Sequence, residues 1–213
     1  MPKPTRVPVY VEAGAKRTFA CATGWPGWCR AARTEDDAVQ ALAVYAPRYA
    51  RVAARAGLAL REPIELEVVE RLSGTATTDF GAPDRALDSD SRPLPKAERE
   101  RLLALMRAAW DEFDETVARS PAELRPGPRG GGRNRDRIVE HVLGAESAYA
   151  RKLGVRVAQP DVGDAAAVES MRSAISDACG SATTSGRWPV RYFVRRLVWH
   201  ALDHTWEMED RRV

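Results

Sequence analysis

The sequence predicts an α+β protein in two parts: a small α/β domain over residues 1–73 and an antiparallel four-helix bundle over 96–213, joined by a linker at 74–95. Three observations predict it. Residues 7–68 mix period-two and period-3.6 apolar patterns. Residues 74–95 lose all periodicity and collect Gly, Thr, Ser, Asp and Pro. Beyond them only the helical period survives, in four stretches separated by polar connections. A chain of 213 residues is long enough for each part to bury its own core.

Val7, Val9 and Val11 alternate with other residues and read as a strand, and Arg17 to Ala22 as a second extended run. The turn Gly24-Trp25-Pro26-Gly27-Trp28 leads into a third. Thr34 with Asp37 three residues later resembles a capping box with a shortened acid, and Val39, Leu42, Ala46 and Tyr49 then mark one helical face. Pro47 lacks a donor and crowds the preceding turn, so it kinks or restarts that helix, which stops at Gly57. Ile64, Leu66 and Val68 alternate with Glu65 and Glu67, the pattern of a strand with one face buried and one solvated. In the second half Leu102, Met106, Ala109, Phe113 and Val117 define a first helix. Ile138, His141, Val142, Ala145 and Tyr149 define a second, Val168, Met171, Ile175 and Ala178 a third, and Phe193, Leu197, His200, His204 and Met208 a fourth.

Bulk composition excludes several function classes. Thirty-three basic against 30 acidic residues leave a net charge of only +3, without the basic stripe that nucleic-acid binding requires. No apolar run is long enough to span a membrane, and the amino terminus has no hydrophobic signal core, so the expected location is cytoplasmic. Cys21, Cys29 and Cys179 are odd in number and scattered, which suggests neither a disulfide framework nor a cysteine zinc site; they are expected to stay reduced. No GxxxxGK[ST], GxGxxG or GxSxG motif supports nucleotide binding or serine hydrolysis.

The chain's chemistry concentrates in its three histidines. His200 and His204 are four residues apart on the last helix, hence neighbours on one face, able to chelate one ion. His141, on another helix, supplies a third nitrogen. Three neutral imidazoles leave at least one coordination position open, as in catalytic rather than closed structural sites. Such donors suit zinc first, with nickel, iron or copper as alternatives. Glu207, three residues after His204, and Asp203 flank that face as carboxylates to orient an imidazole or accept a proton.

Residues 96–213 resemble a DinB-like (YfiT-like) domain. Arg137-Ile138-Val139-Glu140-His141-Val142-Leu143-Gly144-Ala145-Glu146 is similar to that family's second-helix histidine motif, and His200-xxx-His204 to its last-helix pair. The resemblance implies a four-helix bundle with a three-histidine divalent metal site, often in a homodimer. It also implies chemistry with a low-molecular-weight thiol, as in mycothiol-dependent maleylpyruvate isomerase and bacillithiol transferase. Residues 7–72 resemble, more loosely, the HicB-like fold, through the order of strands, the Trp25-Pro26-Gly27-Trp28 turn and the Thr34-led helix. That likeness implies a small dimerising or ligand-sensing module.

Arg129 and Arg133, in the glycine-rich run Arg125–Arg137, are candidates to hold an anionic group of a small-molecule substrate or thiol cofactor. Trp199 and Trp206 are candidates to wall a substrate pocket. The Arg195-Arg196 and Arg211-Arg212 pairs read as surface charge. The leading expectation is a metal-dependent thiol transferase or thiol-dependent isomerase. Two alternatives stand beside it: a non-catalytic binding or regulatory protein with a partner-recognition module, and a metal-dependent hydrolase.

Overall fold

The computed structural model of the protein describes residues 4–127, 132–181 and 186–212. It is α+β, with one four-stranded mixed sheet and seven α-helices among the described residues. Two compact units divide the chain, Met1–Ser89 and Asp90–Val213. Among the described residues, no helix is long and apolar enough to cross a membrane.

The first unit runs β1 (Thr5–Ala13), β2 (Thr18–Ala22), β3 (Cys29–Ala32), α1 (Glu35–Val44), α2 (Ala46–Arg55), β4 (Ile64–Ser73) and α3 (Ala76–Phe80). The sheet order is β3-β2-β1-β4, antiparallel between the first three and parallel between β1 and β4, so the two-helix segment α1–α2 is the crossover that parallel pairing requires. Thr34 caps α1 by accepting from the Asp37 amide at 3.2 Å, while its own hydroxyl donates to the Asp37 carboxylate at 2.7 Å. Pro47 restarts the helix rather than kinking it: Tyr45 ends α1 and precedes α2, whose first turn holds the proline. The Trp-Pro-Gly-Trp turn is locked inward. Trp28 donates to the Leu42 carbonyl at 2.9 Å, Tyr49 donates to the Pro26 carbonyl at 2.9 Å, and the two rings stack with centroids 5.4 Å apart.

The β4 alternation holds, but over ten residues and with an inward face only half-buried, because β4 occupies an edge of the sheet. Cys21 and Cys29 are not scattered: they are partners across the β2–β3 ladder, and both are buried.

The boundary between the two units falls within residues 74–95, though the segment is not without structure. Thr75 caps α3 with a reciprocal capping box, and Asp79 accepts from the Lys16 amide at 2.7 Å. The Glu12 carboxylate, completely buried, accepts from the Thr78 hydroxyl and from the Asp84 and Arg85 amides at 2.9 and 3.0 Å. Small polar residues here satisfy a buried carboxylate and a helix end instead of water, which binds the segment as far as Ser89 into the first unit.

The second unit contains α4 (Lys96–Arg119), α5 (Arg135–Leu153), α6 (Ala165–Gly180) and α7 (Val190–Arg211). Both α6 and α7 pack against α4 and α5, closing a ring of contacts. Asn134 caps α5 by accepting from the Arg137 amide at 3.1 Å, and Gly154 ends it in the left-handed conformation at φ 95° that a side chain would strain. Most of the apolar positions marked in the sequence are buried, among them Leu102, Met106, Phe113, Ile138, Val142, Ile175, Phe193 and Leu197. Between α4, α5 and α6 the interior also encloses Glu146, which accepts from the Trp110 indole at 2.8 Å and pairs with Arg172, itself bound to Asp114 at 2.6 Å. Burial raises the Glu146 pKa, against the pull of Arg172 and Trp110.

The Arg195-Arg196 pair is not surface charge. Both are buried, Arg195 at 7% and Arg196 at 9% exposure, because α7 is enclosed on every side from Tyr192 to Leu202. A charge in that position requires compensation, and Arg195 receives it from the buried Asp90 carboxylate through a two-pronged contact at 2.5 and 2.6 Å. Arg211 is buried as well.

Candidate metal centre

His200 and His204 project from α7 one turn apart, and His141 meets them from α5. The three ring centroids form a nearly equilateral triangle with edges of 4.8, 4.9 and 5.0 Å, and the ring planes cross at 64° to 89°. Each imidazole offers a nitrogen, all within 4.8 Å of one another, close enough to hold a metal ion. Nitrogens bound to one cation at about 2.0–2.1 Å stand roughly 3.0–3.4 Å apart. The His141 and His200 Nε2 atoms are already 3.1 Å apart. His200 and His204 are each 8% exposed, while His141 is the most open of the three.

A further shell orients His204. Its Nδ1 bonds to Glu207 Oε2 at 2.7 Å, which places the proton on Nδ1 and leaves the Nε2 lone pair for a cation. Arg211 donates from Nη1 to the other oxygen of Glu207 at 2.6 Å and from Nε to the Arg125 carbonyl at 2.7 Å, fixing that carboxylate between two partners. Gly132, with φ 131°, packs so closely on Arg211 that a Cβ there would lie 2.7 Å from its guanidinium. The backbone of the arginine loop therefore reaches this support.

Electrostatics favour the neutral form of His141 and His200. Burial above all, then the charges of His204 and Arg133, push His141 down to about 4, with Glu207 pulling the other way. His200 is driven well below its ordinary value, again chiefly by burial, then by His204, His141, Arg196 and Arg133. Neutral imidazole is the form that coordinates a metal. Burial alone would raise the Glu207 carboxyl, but the hydrogen bonds and charges of His204 and Arg211 outweigh it and hold the group ionised.

Of the residues singled out in the sequence, the structure thus brings together His141, His200, His204 and Glu207. Both oxygens of Glu207 are engaged, so it is a positioning residue and not a free acid or base. Asp203 is half-buried on the same helix, but it is Glu207 that meets His204. Trp199 borders the site, its ring 5.9 Å from that of His200. Trp206 is 1% exposed and belongs to the packed interior. Arg133 is exposed and close enough to shift two of the histidines; Arg129 lies outside the described residues.

Sequence reasoning missed two neighbours. Tyr149 lies 6.0 Å from His200, ring to ring, and Arg196 stacks on Tyr149 and Trp199 at 5.6 and 4.9 Å. Helical arithmetic carried the signal for both: Tyr149 is eight residues after His141 and Arg196 four before His200, on the same faces.

No protein-family model matches this chain, and neither the curated proteins nor the solved structures contain a significant match.

Proposed function

We propose that the second unit is a DinB-like metal-binding domain that takes one divalent cation, zinc in the first instance, on His141, His200 and His204 and acts as a thiol transferase or thiol-dependent isomerase. One observation carries the reading: three imidazoles from two helices converge with their nitrogens within 4.8 Å, two of them at metal-ligand spacing. The donor set fits the ion. A nitrogen pair at 3.1 Å matches a shared cation, and the longest remaining separation needs to contract by roughly 1.5 Å, a motion within reach of side-chain torsions. A divalent cation with an open position lowers the pKa of a bound thiol or polarises an electrophile at neutral pH.

The chain's own residues set the conditions. Glu207 holds the His204 tautomer, Arg211 holds Glu207, and the Arg125 carbonyl holds Arg211. Burial around His200 keeps bulk water from competing for the ligand face. Arg133 adds positive potential that favours an anionic substrate. Trp199 and Tyr149 supply apolar walls beside His200.

Elemental analysis of protein exposed to zinc and freed of excess tests the metal: one equivalent per chain is expected. In His200→Ala the affinity should fall at least about 100-fold with the helical content kept. Equal metal in both preparations sends the cation elsewhere. The transfer itself is tested with a small thiol and 1-chloro-2,4-dinitrobenzene, where a C–S bond forms, chloride leaves and the thiol proton passes to solvent. Acceleration in the zinc-loaded wild type and none in His200→Ala supports transfer. Stoichiometric zinc without acceleration favours the non-catalytic binding protein.

A further inference from the structure

Cys21 and Cys29 stand opposite each other on β2 and β3, and the hydrogen bonds of that ladder decide which kind of pair they form. Ala22 donates its amide to the Trp28 carbonyl at 2.9 Å, so Ala22 and Trp28, the next residues along, are the hydrogen-bonded pair. The two kinds alternate in an antiparallel ladder, which makes Cys21 and Cys29 the non-hydrogen-bonded kind. In such a pair the α-carbons are about 4.5 Å apart and the side chains leave on one face as close neighbours. That spacing falls within the roughly 4.4–6.8 Å that a disulfide spans. A slip of one residue in either strand would put the two sulfurs on opposite faces.

Position decides whether the pair can be reached. Both side chains are buried, 3% and 4% exposed, so neither thiol meets a reagent while the sheet is closed. Yet β3 is an outer strand of only four residues, and Arg30, Ala31 and Ala32 after Cys29 are no more than half-buried. A short strand with one neighbour opens locally at less cost than β1 or β2 in the middle of the sheet. Between the cysteines runs the Trp25-Pro26-Gly27-Trp28 turn, whose Trp28 and Pro26 hold Leu42 of α1 and Tyr49 of α2. A bond between the sulfurs therefore fastens the turn that grips both helices. Cys179 offers the contrast: it is completely buried on α6, in a unit with no second cysteine.

We propose that Cys21 and Cys29 form a reversible redox site, a dithiol that closes to a cross-strand disulfide and strengthens the first unit when it does. The oxidant is a low-molecular-weight disulfide. One protein thiolate attacks it and releases a small thiol, and the second then attacks the mixed disulfide and releases another. One S–S bond breaks in the reagent and one forms in the protein, while two electrons and two protons leave with the two small thiols. The inference is independent of the metal reading.

Folded protein is exposed to excess oxidised glutathione, quenched and freed of reagent in acid, then denatured and alkylated. The tryptic peptide Thr18–Arg30, which holds both cysteines, should lose both alkylation sites and weigh two hydrogens less than its dithiol form, while Cys179 stays alkylatable. Dithiothreitol should restore alkylation at all three. Oxidation should shift the folding equilibrium of the first unit by roughly 80-fold toward the native state, the worth of closing a nine-residue loop, read as a later urea midpoint. In Cys29→Ser that gain should vanish. If this variant fails to fold by circular dichroism, the wild-type peptide mass and the comparison of oxidised with reduced midpoints carry the test. Alkylation of both cysteines after oxidation, a lasting glutathione adduct on either, or a bond linking two chains overturns the inference. So does a closed pair that leaves the midpoint unmoved, or a gain that persists in Cys29→Ser.

Discussion

Glu12 in the first unit and the three histidines in the second are both buried polar clusters, yet they are finished differently. Around Glu12 every group converges as donor upon acceptor: one hydroxyl and two backbone amides on one carboxylate. Around His141, His200 and His204 the same kind of lone pair converges three times, with few protons to share. The first arrangement is complete in itself and holds chain together. The second is costly to bury, and its lone pairs lie close enough together to hold a metal ion. Satisfaction of the partners, more than burial or charge, separates a structural cluster from a candidate functional one.

That contrast can be broken at several points. The largest effect is expected from Glu12→Ala, which strands three donors and should cost the first unit about 4 kcal/mol in urea denaturation. The zinc stoichiometry should not change. A cost below about 1 kcal/mol would deny the Glu12 cluster its structural role. Next comes Glu207→Gln, which weakens the grip on His204 Nδ1 and releases Arg211; zinc affinity should fall about 10-fold, read by competition with a chelator, with the fold intact. An unchanged affinity would show that this carboxylate does not act through the metal ligand.

The smallest effect concerns pH in the metal-free protein. His141 and His200 titrate lower when folded than the ordinary 6.5, His141 at about 4. Between those values the unfolded chain binds more protons, so stability is lost as pH falls from 6.5 toward 4, by on the order of 1–2 kcal/mol once the open side of His141 is discounted. Zinc-loaded protein should resist this change until protons displace the metal. A flat stability profile without zinc would contradict neutral, desolvated imidazoles.

Much of this is legible in the chain itself. The His200–His204 spacing, the Thr34 cap and the Pro47 restart depend on residues within one or two turns, and local geometry leaves them little choice. Where distant segments meet, the local pattern is silent or misleading. Glu12 follows Val7, Val9 and Val11 in a strand, and nothing local marks it as buried: its partners Thr78, Asp84 and Arg85 come from more than sixty residues away. The Arg195-Arg196 pair has the same explanation: charge in a sequence signals exposure unless a partner such as Asp90, more than a hundred residues earlier, is known to lie beside it.

By itself the sequence determined the α+β class, the helical second half and the pairing of His200 with His204, because periodicity and i,i+4 spacing are properties of a single element. Only the tertiary structure decided that His141 closes the triangle, that Cys21 faces Cys29, and that Arg196, Tyr149 and Trp199 surround the same imidazole. Those meetings join segments far apart in the chain. They depend on how helices and strands pack, and no local pattern of side chains records that geometry.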